Sequence, residues 1–134
     1  MLHVDLYAYL KDTTQIADLF GSRIFHEWNP QANDEWPTLV FSLTTQNELA
    51  EDMEAPGDDK IDQSNYQFDI YGRKSKATVE AAKTFDDVFR NFRGTMGATR
   101  IQRIELTSNA HLGEIVGDKT VRRVSLDYAI FHNA

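Results

Sequence analysis

The chain has 134 residues, a formal net charge of −7 and no cysteine. That length fits one domain spanning residues 1–134 and able to bury about two thirds of its unfolded surface. Without cysteine a disulfide framework and a thiolate zinc site are excluded, which suits synthesis in a reducing cytoplasm; no apolar run approaches the roughly 20 residues of a membrane span, and Asp5 interrupts the opening stretch, so neither a span nor an export signal is expected.

Leu2, Leu6, Tyr9 and Leu10 fall on one helical face, and Ile16, Leu19 and Phe20 mark a short second helix after Thr13-Thr14 that stops at Gly21. A short strand is expected over Arg23 to Glu27, then a proline-containing loop from Asn29 to Pro37, because a residue before proline avoids helix. Trp28 and Trp36 flank that loop, as anchors of the loop or core or as groups facing a partner. Thr38 to Thr45 reads as a strand whose apolar centre, Leu39-Val40-Phe41, implies burial on both faces.

The stretch from Gln46 to Asp62 holds Glu48, Glu51, Asp52, Glu54, Asp58, Asp59 and Asp62 against one Lys60, with Pro56-Gly57 as a breaker. A long acidic loop is therefore expected at about 46–63, as a solvated hairpin tip or as a functional loop. It lacks the ordered spacing and terminal glutamate of a calcium loop.

Two periodicities then meet with almost no connection. Tyr66, Phe68 and Ile70 share one strand face, with Gln67, Asp69 and Tyr71 on the other. Val79, Ala82, Phe85, Val88, Phe89 and Phe92 recur at spacings of three and four, which predicts a helix from about Ser75 to Arg93 with Ser75 as N-cap and Gly94 just past its end. Burying each large side chain of that stripe stabilises by roughly 1.5 to 3 kcal/mol, so packing on the strand decides this element more than capping does.

Thr95 to Thr99 reads as a turn, and Arg100 to Thr107 as a strand with an irregularity before Arg103. Ser108 to Lys119 is polar and contains glycine, which suggests a loop. Thr120 to His132 is the last strand, with Val124, Leu126, Tyr128 and Ile130 on one face; Val121 is out of phase with them, which suggests a bulge near Arg122-Arg123. The expected fold class is α+β: a mainly antiparallel sheet of about four to five strands, covered on one face by the central helix and an N-terminal helix.

Few signatures of chemistry appear. His3, His26, His111 and His132 form no His-x-x-x-His pair, and the chain holds no nucleophile elbow, Walker loop or dinucleotide fingerprint. Carboxylates are abundant but the acidic loop looks uniformly wet, and no catalytic residue, metal ligand or cofactor site is expected. Charge is uneven: residues 1–69 hold three Lys/Arg and fourteen Asp/Glu, and residues 70–134 hold eleven and seven. Two solvated faces would account for this, as would complementary surfaces on copies of one chain that meet head to tail. Arg90, Arg93, Arg100, Arg103, Arg122 and Arg123 could cluster, but the negative net charge opposes affinity for a phosphate backbone.

Several phrases in this order carry a resemblance: Phe20-Gly-Ser-Arg-Ile-Phe after the N-terminal helices, Trp36-Pro-Thr-Leu-Val-Phe-Ser, Ser64-Asn-Tyr-Gln-Phe-Asp-Ile-Tyr followed by Ala77-Thr-Val-Glu-Ala-Ala, and Arg122-Arg-Val-Ser-Leu-Asp-Tyr-Ala-Ile-Phe. Together they cover most of the chain, which resembles the tail completion or tail terminator proteins of long-tailed phages and prophages. The resemblance implies a small α+β domain made in the bacterial host cytoplasm and assembled as a ring, typically a hexamer, at the head-tail junction of the virion. Its partners would be copies of itself, the tail tube protein and the head connector, with DNA passing through the channel without specific binding. Such proteins carry an extended hairpin where this chain has 47–63. Glu51, Asp52, Glu54, Asp58 and Asp59 would then line the channel or meet Arg122 and Arg123 of a neighbour, with Trp28 and Trp36 as further interface candidates. The alternatives are a small α+β enzyme or ligand-binding domain with a pocket between sheet and helices, and an adaptor outside any virion.

Overall fold

In the computed structural model the described backbone comprises residues 2–21, 23–26, 37–48, 61–116 and 119–133, and the described side chains lie at 2–21, 23–26, 37–45, 61–111 and 121–133. Their order is α1 (Leu2–Asp12), α2 (Thr14–Phe20), β1 (Ile24–His26), β2 (Thr38–Glu48), β3 (Ile61–Gly72), α3 (Ser75–Phe89), β4 (Gly94–Met96), β5 (Thr99–Val116) and β6 (Lys119–Asn133). The strands form one sheet in the order β1-β2-β3-β6-β5-β4. All neighbouring pairs are antiparallel except β1 with β2. The class is α+β as the sequence suggests, but with six strands instead of four to five.

The added strand is β4. The segment read as a turn from Thr95 pairs with the start of β5, Gly94 opposite Ile101 and Met96 opposite Thr99. Gly94, expected just past the helix end, opens this strand with φ 133°, in the region that favours glycine. The helix itself stops at Phe89, and Ser75 is its first residue and not its cap, the capping position being Lys74.

The stripe along α3 packs as its spacing predicts. Ala82, Phe85 and Phe89 are buried, with Val79, Val88 and Phe92 partly buried against the core. They meet the face of the sheet formed by Leu39, Phe41, Tyr66, Phe68, Ile70, Val124, Leu126, Tyr128 and Ile130, and Leu6 and Leu10 of α1 with Ile16 and Phe20 of α2 complete this cluster. The short passage from β3 to α3 depends on Gly72, where a Cβ would overlap the Thr78 side chain. Thr78 is held there because its hydroxyl donates to the Lys74 carbonyl at 2.6 Å.

Three expectations about strand length are corrected. The acidic stretch is not loop throughout 46–63: β2 and β3 stay paired out to Glu48 opposite Asp62. Ser108 to Lys119 is not a loop either, since β5 and β6 form a long hairpin paired out to Val116 opposite Lys119. And β6 shows no register break near Arg122-Arg123. Val121 simply points to the other face of the sheet, where it is fully buried with Val40 and Tyr71. The irregularity before Arg103 does occur, as a register shift between Ile101 and Arg103, and a second lies between Leu106 and Ser108. The proline-containing loop after residue 26 lies outside the described residues.

Candidate functional site

The helices all join the cluster on one face of the sheet, and the opposite face is largely polar. Its residues come from alternate positions of β3 and β6, brought opposite one another as Tyr71 with Arg123, Asp69 with Ser125 and Gln67 with Asp127. Asp69, only 9% exposed, accepts through its carboxylate from the Gln67 amide at 3.0 and 2.9 Å and faces Arg123 Nε at 3.3 Å. Burial, reinforced by the Asp69 charge, pushes the Asp127 carboxyl above its ordinary value, and Arg123 opposes this. Arg123, a candidate for contact with a neighbour, is thus tied into its own chain.

Arg122 differs. It is exposed and lies opposite Gly72, beside the exposed Arg73, Lys74 and Lys76 at the start of α3. No acidic residue sits in the first turn of that helix, and among the described residues none of these four cations has a carboxylate within ion-pair distance. Cations at a helix N-terminus oppose its dipole, so the described residues concentrate positive charge at this end of the sheet. Arg122, His111 and Ser75 line a hollow of about 100 Å³ there.

The six arginines do not form one stripe. Arg90 pairs with Asp86 at 2.7 Å, and Arg103 lies 3.3 Å from Glu105 and stacks over Phe131 at 4.3 Å. Arg100 stands at the end of the sheet away from Arg122, its backbone N–H bound to Asn133 Oδ1 at 2.8 Å. The remaining interface candidates, Glu51, Asp52, Glu54, Asp58, Asp59, Trp28 and Trp36, lie outside the described residues.

One arrangement had no sequence signal. A cavity of about 490 Å³ between α1 and the sheet is lined by His3, Leu43, Asp62, Ser64, Tyr66 and His132, among others. Within it the Ser64 hydroxyl and His132 Nε2 are 2.7 Å apart, and His132 Nδ1 lies 2.7 Å from the Asn133 carbonyl. Since a carbonyl only accepts, Nδ1 carries a proton, and in the neutral ring Nε2 then accepts from Ser64. His26 stacks on His3 at 4.9 Å between ring centres. Ser64 and His132 are 68 positions apart and meet through the register that sets Asp62 opposite His132. No cluster of three or more potential metal ligands occurs among the described residues, and no described helix is long and apolar enough to cross a membrane.

No family model and no curated protein matches the chain. Its fold is similar to that of a chain from the virion of a native gene transfer agent particle. The TM-score is 0.69 at 13% sequence identity, and the match covers 99% of this chain and 95% of the other. At that identity the likeness is one of fold.

Proposed function

We propose that this chain is a structural subunit of a phage-type virion, which assembles as a ring, typically a hexamer, capping the head-proximal end of the tail tube and joining it to the head connector. The observation that carries the reading is the fold likeness to a virion chain over nearly the whole of both proteins, in the direction given by the resemblance to tail completion proteins. On this reading the protein acts by shape and surface charge, with no cofactor, and DNA passes without specific contact.

Chain geometry supports a role for charge between copies. The acidic segment leaves β2 at Glu48 and returns at Ile61, whereas Arg122 is level with Gly72 at the far end of the twelve-residue β3. Twelve strand residues span roughly 36 to 40 Å. The two roots of that segment therefore lie far along the sheet from Arg122 of the same chain. A basic partner for Glu51, Asp52, Glu54, Asp58 and Asp59 would come from a neighbouring copy or an adjoining ring component. If the carboxylates face the channel instead, they repel the phosphates of passing DNA.

Reversing the charge of Asp58 and Asp59 tests this. We expect an intact fold by circular dichroism and a loss of joined particles if the segment makes contacts. Particles lacking the protein should show unjoined heads or overlong tails under negative stain, and unchanged virions would end the proposal.

The Ser64 and His132 pair inside a cavity favours a second reading, a small α+β enzyme or ligand-binding domain. Covalent labelling of Ser64 by a fluorophosphonate, lost in His132→Ala, would support it. Absence of labelling would leave the pair as a buried polar contact.

A further inference from the structure

β5 is eighteen residues long, yet β4 pairs with its outer edge only at Thr99, Arg100 and Ile101. From Gln102 to Val116 no described strand pairs with that edge. Gln102, Thr107, Ser108, Asn109 and His111 are all exposed, so among the described residues nothing covers their side chains. Natural sheets blunt such edges with short strands, lysine, proline or a covering element, because unpaired N–H and C=O groups template another strand. β5 contains neither lysine nor proline; the devices it has along this stretch are Arg103, Glu105 and Glu114 and the register shifts at Ile101/Arg103 and Leu106/Ser108.

Among the described residues the other side of the sheet has a matching unpaired edge. β1 pairs with β2 only at Leu39, Val40 and Phe41, and among the described residues no strand pairs with the outer edge of β2 from Ser42 to Glu48. The three pairings between β2 and β5 are all antiparallel, so β2 and β5 run in opposite directions. Two copies in the same orientation would therefore set β5 of one against β2 of the next as an antiparallel pair.

We infer that the outer edge of β5 is a strand-addition site for a second copy of this chain, which enters with the outer edge of its β2. The short strands define how the copies fit. β4 lies at the level of Asp62, by way of Ile101 and His132, whereas β1 lies at the level of Ile70 at the opposite end of the sheet. A stagger along the strands lets each projecting strand clear the other's edge, and in a closed ring such a stagger inclines the strands to the ring axis. Because the two edges differ, the contact is heterologous and repeats around a ring. The inference rests on the self-assembly part of the proposed function and does not require the virion location.

The absence of native cysteine makes the contact directly testable. Thr45→Cys is combined in turn with Thr107→Cys, Ser108→Cys or Asn109→Cys in the full chain, and the purified protein is oxidised gently at high concentration. A disulfide needs Cα atoms within about 7 Å, so at least one combination is expected to give a ladder of covalent oligomers while each single variant gives none. Amide exchange over Gln102 to Val116 in the unmodified protein should slow by about tenfold or more on concentration. Dimers from Asn109→Cys alone would overturn β2 as the partner in favour of β5 against β5. No ladder, together with exchange that does not change with concentration, would overturn the inference. A ladder from a protein absent from virions would leave the pairing standing and sink the virion role; joined particles without a ladder would do the reverse.

Discussion

Phe68 and Asp69 are neighbours in one strand and meet opposite worlds. The Phe68 ring lies 5.7 Å from Phe41, 5.2 Å from Phe85, 4.9 Å from Phe89 and 5.5 Å from Tyr128, between centroids, and is fully buried beneath α3. Asp69, on the face that α3 does not cover, is held by the Gln67 amide and Arg123. The covered face draws its stability from apolar area, which is insensitive to pH and scales with side-chain volume. The polar face is stabilised by satisfying groups that burial would otherwise penalise, so its effects are smaller and depend on protonation. One sheet thus divides its labour: an aromatic core on one side, and on the other a largely polar, half-buried face where Gln67, Asp69 and Arg123 satisfy one another.

The largest effect should come from the covered face. Phe68→Ala is expected to cost about 3 to 5 kcal/mol in urea unfolding, because its cavity is walled by other rings that cannot collapse fully. A cost below about 1 kcal/mol would show that the aromatic cluster does not hold the fold.

Next comes the polar group buried within that core. Tyr128 donates to Asp86 Oδ1 at 2.6 Å, and burial together with the Asp86 carboxylate drives its phenol far above the ordinary tyrosine value. Tyr128→Phe should therefore cost roughly 1.5 to 3 kcal/mol, the usual worth of a hydrogen bond to a charged group. In the native protein ultraviolet titration should find this tyrosine protonated until the fold is lost, and a normal phenol titration would contradict the contact.

The two adjacent arginines separate structure from surface. Arg123→Ala should cost roughly 1 to 2 kcal/mol by leaving Asp69 uncompensated, whereas Arg122→Ala should stay within about 0.5 kcal/mol and act on assembly alone. Equal losses in thermal unfolding would erase that distinction.

The smallest effect is the one with a sign that depends on pH. Since the Asp127 carboxyl sits above its ordinary value in the fold, its favourable contribution is complete below the ordinary carboxylate range and is lost as pH rises through the raised value. Asp127→Asn should accordingly raise the urea midpoint at pH 7 and lose that advantage by about pH 3. A variant less stable than the parent at pH 7 would show that Arg123 outweighs burial and Asp69.

Legibility followed the range of the interactions. α1, α2, β3, α3 and the inner face of β6 could be read because each repeats apolar residues at the period of its own backbone. Gly94 misled, since glycine past a helix and glycine opening a strand look alike until the strand's partner is known. Ser108 to Val116 looked like a loop because an edge strand with few apolar residues has no alternation to display. Val121 suggested a bulge because it falls out of phase with Val124, whereas Val40, Tyr71 and Val121 form a small cluster on the second face. Of the candidate contacts, Arg122 and Arg123 were legible as a pair, but their different fates were not, since only the register with β3 sets Arg123 beside Asp69.

By itself the sequence determined the local periods, the mixed class, the face of β3 that seeks cover and the uneven charge, all of which depend on residues within a few positions of one another. The tertiary structure decided what depends on strand register: the extra strand β4, the long β5–β6 hairpin, and the meeting of Ser64 with His132 across 68 residues. The reason is physical, because pairing two strands fixes which distant side chains share a face, and no local pattern encodes that choice.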